Sequence, residues 1–120
     1  MTDAFGARMH SQNVVLRGQL LEEQWREFLV RAVKALGMTP AGEPAVYRYP
    51  TQDGKGGNGM TMFQPLTESF IALDTWDDHS GAYLHISSCK PFDVTALVEP
   101  AMEFALGVEH MGRAETLRLA

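Results

Sequence analysis

One cysteine, Cys89, stands among 120 residues. A single thiol excludes an intramolecular disulfide and a cysteine-based zinc site, and it fits a reducing, cytoplasmic setting. No apolar run approaches the roughly 20 residues needed to cross a bilayer. Residues 1–11 lack the apolar stretch of a signal peptide, so the expectation is a soluble chain with no membrane partner. Basic clusters are missing too. Ten Lys and Arg against 15 Asp and Glu give a formal charge of -5, so nothing draws the chain to nucleic acid or anionic lipid. Internal repeats are absent, and so is low-complexity sequence outside one glycine-rich loop. The partners left are small molecules and further copies of the chain.

What is present is material for a core. Hydrophobic residues make up 45% of the chain, enough at this length for a single domain over residues 1–120. Alternating and β-branched residues in Asn13 to Gln19 predict a first strand. From Leu21, apolar residues recur at Trp25, Phe28, Leu29, Ala32 and Leu36, the spacing of one helix face, and Gly37 and Pro40 supply the stop. Ala45 to Tyr49 reads as a short strand closed by Pro50. After the glycine-rich loop Asp53 to Gly59, the segments Met60 to Leu66, Phe70 to Trp76 and Ala82 to Ser88 predict an antiparallel meander. Its turns fall at Thr67 to Ser69 and Asp77 to Gly81. Asp93 is placed to cap a second helix that carries Val94, Leu97, Val98, Ala101, Phe104 and Ala105 inward and ends at Gly107. Pro100 lies inside that pattern and predicts a bend or a late start. A last strand is expected around Thr116 to Leu119. The order β-α-β-β-β-β-α-β implies an α+β two-layer sandwich, an antiparallel sheet with two helices on one face.

Residues that carry chemistry concentrate in Glu68 to Cys89, which reads ESFIALDTWDDHSGAYLHISSC. Taken singly, each has an ordinary reading. Ser69 after Glu68 suits a turn, Cys89 suits a small buried site, and Trp76 suits core or binding surface equally. Met60 and Met62 are core candidates. Asp74, Asp77, Asp78, His79 and His85 lack the spacing of a metal site, so no metal is expected and a solvated hairpin accounts for them. The loop around Lys55 resembles a phosphate loop, yet no Ser or Thr follows the lysine and a strand comes next, which favours a hairpin.

Taken together, the stretch from Leu66 to Cys89 resembles the prokaryotic S-adenosylmethionine decarboxylase proenzymes. Their signature runs LxESHxxIHTWPE, followed by a strand ending FTCG. Leu66, Glu68, Ser69, Thr75 and Trp76 stand at the matching positions, and Cys89 follows Ser69 by 20 residues, as the pattern requires. The order of elements agrees over nearly the whole chain, and the tail VEHMGRAETLRL is similar to the family's closing strand.

The resemblance implies a fold, a cofactor and a set of roles. Ser69 would attack the carbonyl of Glu68 and convert the peptide to an ester. Elimination and hydrolysis would then leave a covalent pyruvoyl group on a new N-terminus derived from Ser69, with no free cofactor required. The chain would fall into Met1 to Glu68 and a second piece starting at residue 69, still folded as one unit. The pyruvoyl carbonyl acts as an electron sink for loss of carbon dioxide from the substrate. Cys89 stands where the family has its proton donor. Tyr49 aligns with an aromatic before proline that stacks on adenine and faces the sulfonium, and Asp78 falls where a glutamate holds the ribose hydroxyls. A homodimer with sites at the subunit interface is implied as well.

This chain departs from the pattern in its middle. Phe70 replaces the histidine after the serine, and Asp74 replaces the histidine five residues on. A carboxylate has an unperturbed pKa of about 3.9 against about 6.5 for imidazole, which makes Asp74 a weak base unless its surroundings raise it. The family's aspartate on the last central strand becomes His85, and its Cys-Gly becomes Cys89-Lys90. Strand parity sets Tyr83, His85, Ser87 and Cys89 on one face. From there His85 could supply the imidazole that position 74 lost, or activate Cys89 as a thiolate. The leading expectation is a self-processing decarboxylase of S-adenosylmethionine in polyamine (spermidine) biosynthesis, with Ser69, Cys89, Asp74 and His85 catalytic. The alternatives are a pyruvoyl decarboxylase of another amino acid, such as ornithine or arginine, and an unprocessed relative that binds a ligand or partner without chemistry.

Overall fold

Every second residue of the central strands is buried, and that alternation sets the architecture. The computed structural model describes residues 8–49, 59–76 and 80–119. The elements are β1 (Arg8–Arg17), α1 (Glu22–Ala35), β2 (Ala45–Arg48), β3 (Met60–Pro65), β4 (Ser69–Trp76) and β5 (Gly81–Ser88). A 3₁₀ turn (Val94–Leu97), α2 (Val98–Glu103), β6 (Gly107–Met111) and β7 (Glu115–Arg118) follow. All pairings of these strands are antiparallel. The sheet has seven strands in the order β2-β3-β4-β5-β1-β6, with β7 also paired to β1.

Val14 and Leu16 of β1, Met60 and Met62 of β3, Ile71 and Leu73 of β4, and Leu84 and Ile86 of β5 all point to one side. There they meet Trp25, Phe28, Leu29, Ala32 and Val33 of α1, together with Val94, Leu97 and Ala101 of the second helical segment, in one core. Both helices therefore cover the same face. Burying a side chain of the size of Leu16 or Ile71 contributes roughly 1.5–3 kcal/mol. The aromatic packing is directional: Phe28 meets Trp25 edge-on at 6.1 Å and Phe104 at 5.9 Å.

Helix α1 starts where the Leu21 N–H donates to the Gln24 side-chain oxygen at 2.9 Å, with Glu22 and Glu23 in the first turn. It ends as expected. Gly37 takes a φ of 73°, and the Met38 N–H reaches back to the Val33 carbonyl at 3.0 Å. Leu21, however, is 74% exposed and belongs to the cap rather than the buried face.

Several expectations change, and one is met. The first strand begins earlier and ends sooner, at Arg8–Arg17. The second helix starts late, as Pro100 requires: Asp93 caps the 3₁₀ turn by accepting from the Thr95 N–H at 2.9 Å, and Pro100 falls in the first turn of α2, where its missing N–H costs least. Val98 and Ala105 point outward rather than inward. Gly107 does not end this helix. Ala105, with a φ of 57°, makes the reversal while the Leu106 N–H bonds the Ala101 carbonyl at 2.8 Å, and Gly107 already opens β6. The closing segment is then two strands, β6 and β7, where one was expected. Residues 50–58, which hold most of the expected glycine-rich loop, and 77–79, in the expected turn Asp77 to Gly81, lie outside the described residues.

Candidate active site

The peptide between Glu68 and Ser69 sits in the tight Thr67-Glu68 turn between β3 and β4. The Leu66 N–H donates to the Ser69 carbonyl at 2.8 Å, closing the turn. Residues 39–41 run alongside it: the Thr67 N–H bonds the Thr39 carbonyl at 2.9 Å, Pro40 bridges Leu66, and the Ala41 N–H bonds the Pro65 carbonyl at 2.9 Å. Ser69 has a φ of 156°. For a residue with a side chain this is a sparsely populated backbone region, of the kind that costs of order 1–3 kcal/mol and is held only by surrounding contacts.

The carbonyl oxygen of Glu68 accepts the backbone N–H of Cys89 at 2.9 Å. This bond continues the β4–β5 ladder one step past the Ser69–Ser88 pair. Glu68, Ser69 and Cys89 are thereby brought together. Strand β5 ends at Ser88, and Cys89, one residue on, is exposed rather than in a small buried site. The Glu68 carboxylate accepts the Thr39 N–H at 3.0 Å and lies 3.9 Å from the Lys90 ammonium. The Thr39 bond foremost, with further hydrogen bonds from Thr67 and its own N–H and the charge of Lys90, holds the Glu68 carboxyl below the usual glutamate value despite an opposing desolvation effect.

Asp74 and His85 occupy the other, helix-free face of the sheet, in neighbouring rows: Asp74 is opposite Tyr83 and His85 opposite Ala72. The Thr61 hydroxyl donates to Asp74 at 2.8 Å, and Thr61 in turn lies 2.8 Å from the Tyr49 hydroxyl. Because the carboxylate uses the Thr61 proton, Tyr49 is the donor in the second bond. His85 is fixed by Asn13, its Nδ1 lying 2.7 Å from the amide oxygen, and its ring lies 5.8 Å from that of Phe70. Phe70 is itself stacked on Phe63 at 5.1 Å. Counted along the strands, His85 is about 10 Å and Asp74 about 17 Å from Ser69, so His85 is the nearer of the two.

Two residues of the motif differ sharply in environment. Thr75 is buried and ties two strands together, its hydroxyl accepting the Met60 N–H at 3.0 Å. Trp76 is 49% exposed on the open face, 6.2 Å from the Tyr83 ring. Asp78 lies outside the described residues. Asn13, Thr61 and Thr39 escape sequence reading. Thr61 sits at an outward position of a predicted strand, but its partners are 12 and 13 residues away, and nothing local to Asn13 points to a histidine 72 positions on.

Among solved structures, the crystal structure of the adenosylmethionine decarboxylase from Aquifex aeolicus VF5 superposes with a TM-score of 0.58 at 22% identity. The match covers 96% of this chain and 92% of that one. At this identity the likeness speaks for the fold, an antiparallel sheet with its helices on one side. No curated protein sequence matches. No helix among the described residues is long and apolar enough to cross a membrane. The model of the S-adenosylmethionine decarboxylase family, however, matches residues 20–118, well over half of the sequence, and the chain belongs to that family of decarboxylases.

Proposed function

We propose that this chain is a single-domain, self-processing, pyruvoyl-dependent decarboxylase that acts on S-adenosylmethionine in polyamine (spermidine) biosynthesis in the cytoplasm. The observation that carries the reading is the pairing of a φ of 156° at Ser69 with a Glu68 carbonyl that already accepts the Cys89 N–H at 2.9 Å. A hydroxyl beside its own peptide carbonyl, in a turn held out of a relaxed conformation, is what an N-to-O acyl shift needs. The Cys89 N–H is placed to stabilise negative charge on the carbonyl oxygen as the bond forms.

In the first step a bond forms between the Ser69 hydroxyl oxygen and the Glu68 carbonyl carbon. The bond from that carbon to the Ser69 nitrogen breaks, and the hydroxyl proton ends on the freed amine. Removal of the Ser69 α-proton then expels the Glu68 carboxylate from the Ser69 side chain, and water releases ammonia from the new N-terminus. The residues present fit a pyruvoyl group made from Ser69, since the serine is only half-buried at the turn and the exposed Cys89 follows its ladder partner Ser88. That group, once formed, supplies the electron sink for loss of carbon dioxide.

The chain's own residues have the remaining tasks. The Cys89 thiol donates a proton to the substrate carbon. Tyr49, its hydroxyl held by Thr61, offers a half-exposed ring to adenine or the sulfonium. Asp78 is the proposed partner of the ribose hydroxyls. His85, held by Asn13, replaces the imidazole of the usual motif, while Asp74 serves as the acceptor that anchors Thr61 and Tyr49. A homodimer joined through the helix-free face is supported by exposed Tyr47, Phe63 and Trp76 on that side.

One observation favours a second reading, an unprocessed relative that binds without chemistry. Asp74 stands where the motif has a histidine and is tied up as a hydrogen-bond acceptor. Denaturing intact mass on freshly made protein separates the two. Two pieces divided between Glu68 and Ser69 support the decarboxylase, and a single stable 13.3 kDa species sinks it. If the chain is cut, release of labelled carbon dioxide from S-adenosylmethionine, compared with ornithine and arginine, identifies the substrate.

A further inference from the structure

We propose that Lys90 is a positioning residue that clamps Glu68, and with it the peptide to be broken, against the C-terminal end of α1. The inference rests on the self-processing reading above and deepens it. Where the family resemblance expects glycine after the cysteine, this chain has a lysine. Its ammonium donates to the Gly37 carbonyl at 2.9 Å, in the turn just past the end of α1, and stands 3.9 Å from the Glu68 carboxylate. A cation there answers both the carbonyl end of the helix and the acid.

The clamp has a second jaw. Thr39, two residues beyond Gly37, gives its N–H to the Glu68 carboxylate at 3.0 Å and takes the Thr67 N–H on its carbonyl at 2.9 Å. The Glu68 side chain is only 13% exposed, so it is enclosed between the α1–β2 loop and the residue that follows Cys89. Its main-chain carbonyl is meanwhile fixed by the Cys89 N–H at 2.9 Å. Side chain and carbonyl of one residue are thus held from adjacent positions, Lys90 and Cys89, and the turn cannot relax without breaking both contacts. After the cut, Glu68 ends the first fragment, and the same contacts keep that end in place.

Among the described residues, the titratable groups on the elements around this point are few. Lys34 lies in the last turn of α1, none lies in residues 37–41, Cys89 and Lys90 follow β5, and His10 of β1 is opposite Ser88. A pH effect on Glu68 is therefore readable.

The test uses the full chain in two forms. In the parent, Lys90→Met is expected to slow cleavage, followed by intact mass from the time of synthesis, by about fivefold, the scale of one partly exposed ion pair, and Lys90→Arg to restore it. In a Ser69→Ala chain, which cannot be cut, carbon-13 NMR is expected to show the Glu68 carboxyl titrating below an ordinary glutamate and moving upward when Lys90→Met is added. Cleavage at the parent rate in Lys90→Met, or a Glu68 titration indifferent to that change, overturns the clamp. Should the parent never be cut, the self-processing reading fails, and the NMR titration alone decides the clamp.

Discussion

His85 and Asn13 stand directly opposite each other on β5 and β1, and the imidazole Nδ1–H donates to the Asn13 side-chain oxygen at 2.7 Å. In the neutral ring that bond leaves Nε2 unprotonated and able to accept a proton. Asp74, one row away, is occupied with Thr61. His85→Ala is therefore expected to slow cleavage or turnover by roughly 10²–10⁴, the range of a lost general acid or base. Asn13→Leu, which keeps the ring but frees its orientation, is expected to cost about tenfold. Single-turnover rates, with far-ultraviolet circular dichroism as the folding control, check both. If Asp74→Ala proves the more damaging change, the exchange of roles between the two strands is wrong.

Cys89 serves the two halves of the reaction through different atoms. Its backbone N–H faces the Glu68 carbonyl, whereas its thiol is exposed and free. Cys89→Ser keeps the N–H, so cleavage between Glu68 and Ser69 is expected to proceed within about threefold of the parent, while turnover falls by roughly 10² or more for want of the proton donor. Ser69→Ala should leave one uncut chain. Intact mass reads the first quantity and carbon dioxide release the second; equal losses in both would remove the distinction.

Much of this fold could be read from local pattern, because the apolar residues of its core strands alternate and α1 keeps its own on one face. Met62, Ile71, Leu73, Leu84 and Ile86 are buried where period-two counting puts them. Strand β6 was not legible, since Gly107, Glu109 and His110 give GVEHM little strand character and only pairing with Val14 to Arg17 makes it one. Nor did glycine mark the end of α2: Ala105 adopts the left-handed turn, against its own preference, because the chain must reverse into β6. At the site, Glu68, Ser69 and Cys89 stood out through type and spacing. Asn13, Thr61 and Thr39 did not, because their contribution is a contact across the sheet or from the α1–β2 loop, and such contacts leave no trace in sequence spacing.

The helix-free face of the sheet carries Tyr47, Phe63 and Trp76 at 60%, 38% and 49% exposure. Apolar rings grouped on one side of a sheet are the kind of surface that a second copy covers. Phe63→Glu combined with Trp76→Arg is expected to shift the protein from dimer to monomer without unfolding it, since neither side chain belongs to the core cluster. Sedimentation velocity checks the mass. A parent that sediments as a monomer at tens of micromolar would remove the dimer from the proposal.

Acid should weaken the fold through a small set of carboxylates whose folded pKa values lie below the ordinary ones. Glu22 is lowered by its hydrogen bond to Arg48, Glu109 by Arg17, Asp93 by Thr95, and Glu68 first by the Thr39 N–H. Each binds its proton less readily when folded than when unfolded, so the unfolded chain takes up more protons and stability rises with pH across the interval. Their contribution is complete above the unfolded values, 4.5 for the glutamates and 3.8 for Asp93, and is lost as pH falls through the lower folded values. Glu22, Glu109 and Asp93 are more open to solvent than Glu68, so their share of the decline should be shallow and further reduced by salt. Thermal unfolding from neutrality to about pH 3 should therefore show Tm falling chiefly below about pH 4.5. Glu68→Gln is expected to begin with a lower Tm at neutral pH and to converge on the parent as the acid is approached, because the variant has no proton to gain at that position. Parallel curves would mean that Glu68 is not held more firmly in its ionised form when folded, and the tie between its side chain and Thr39 would lose its energetic support.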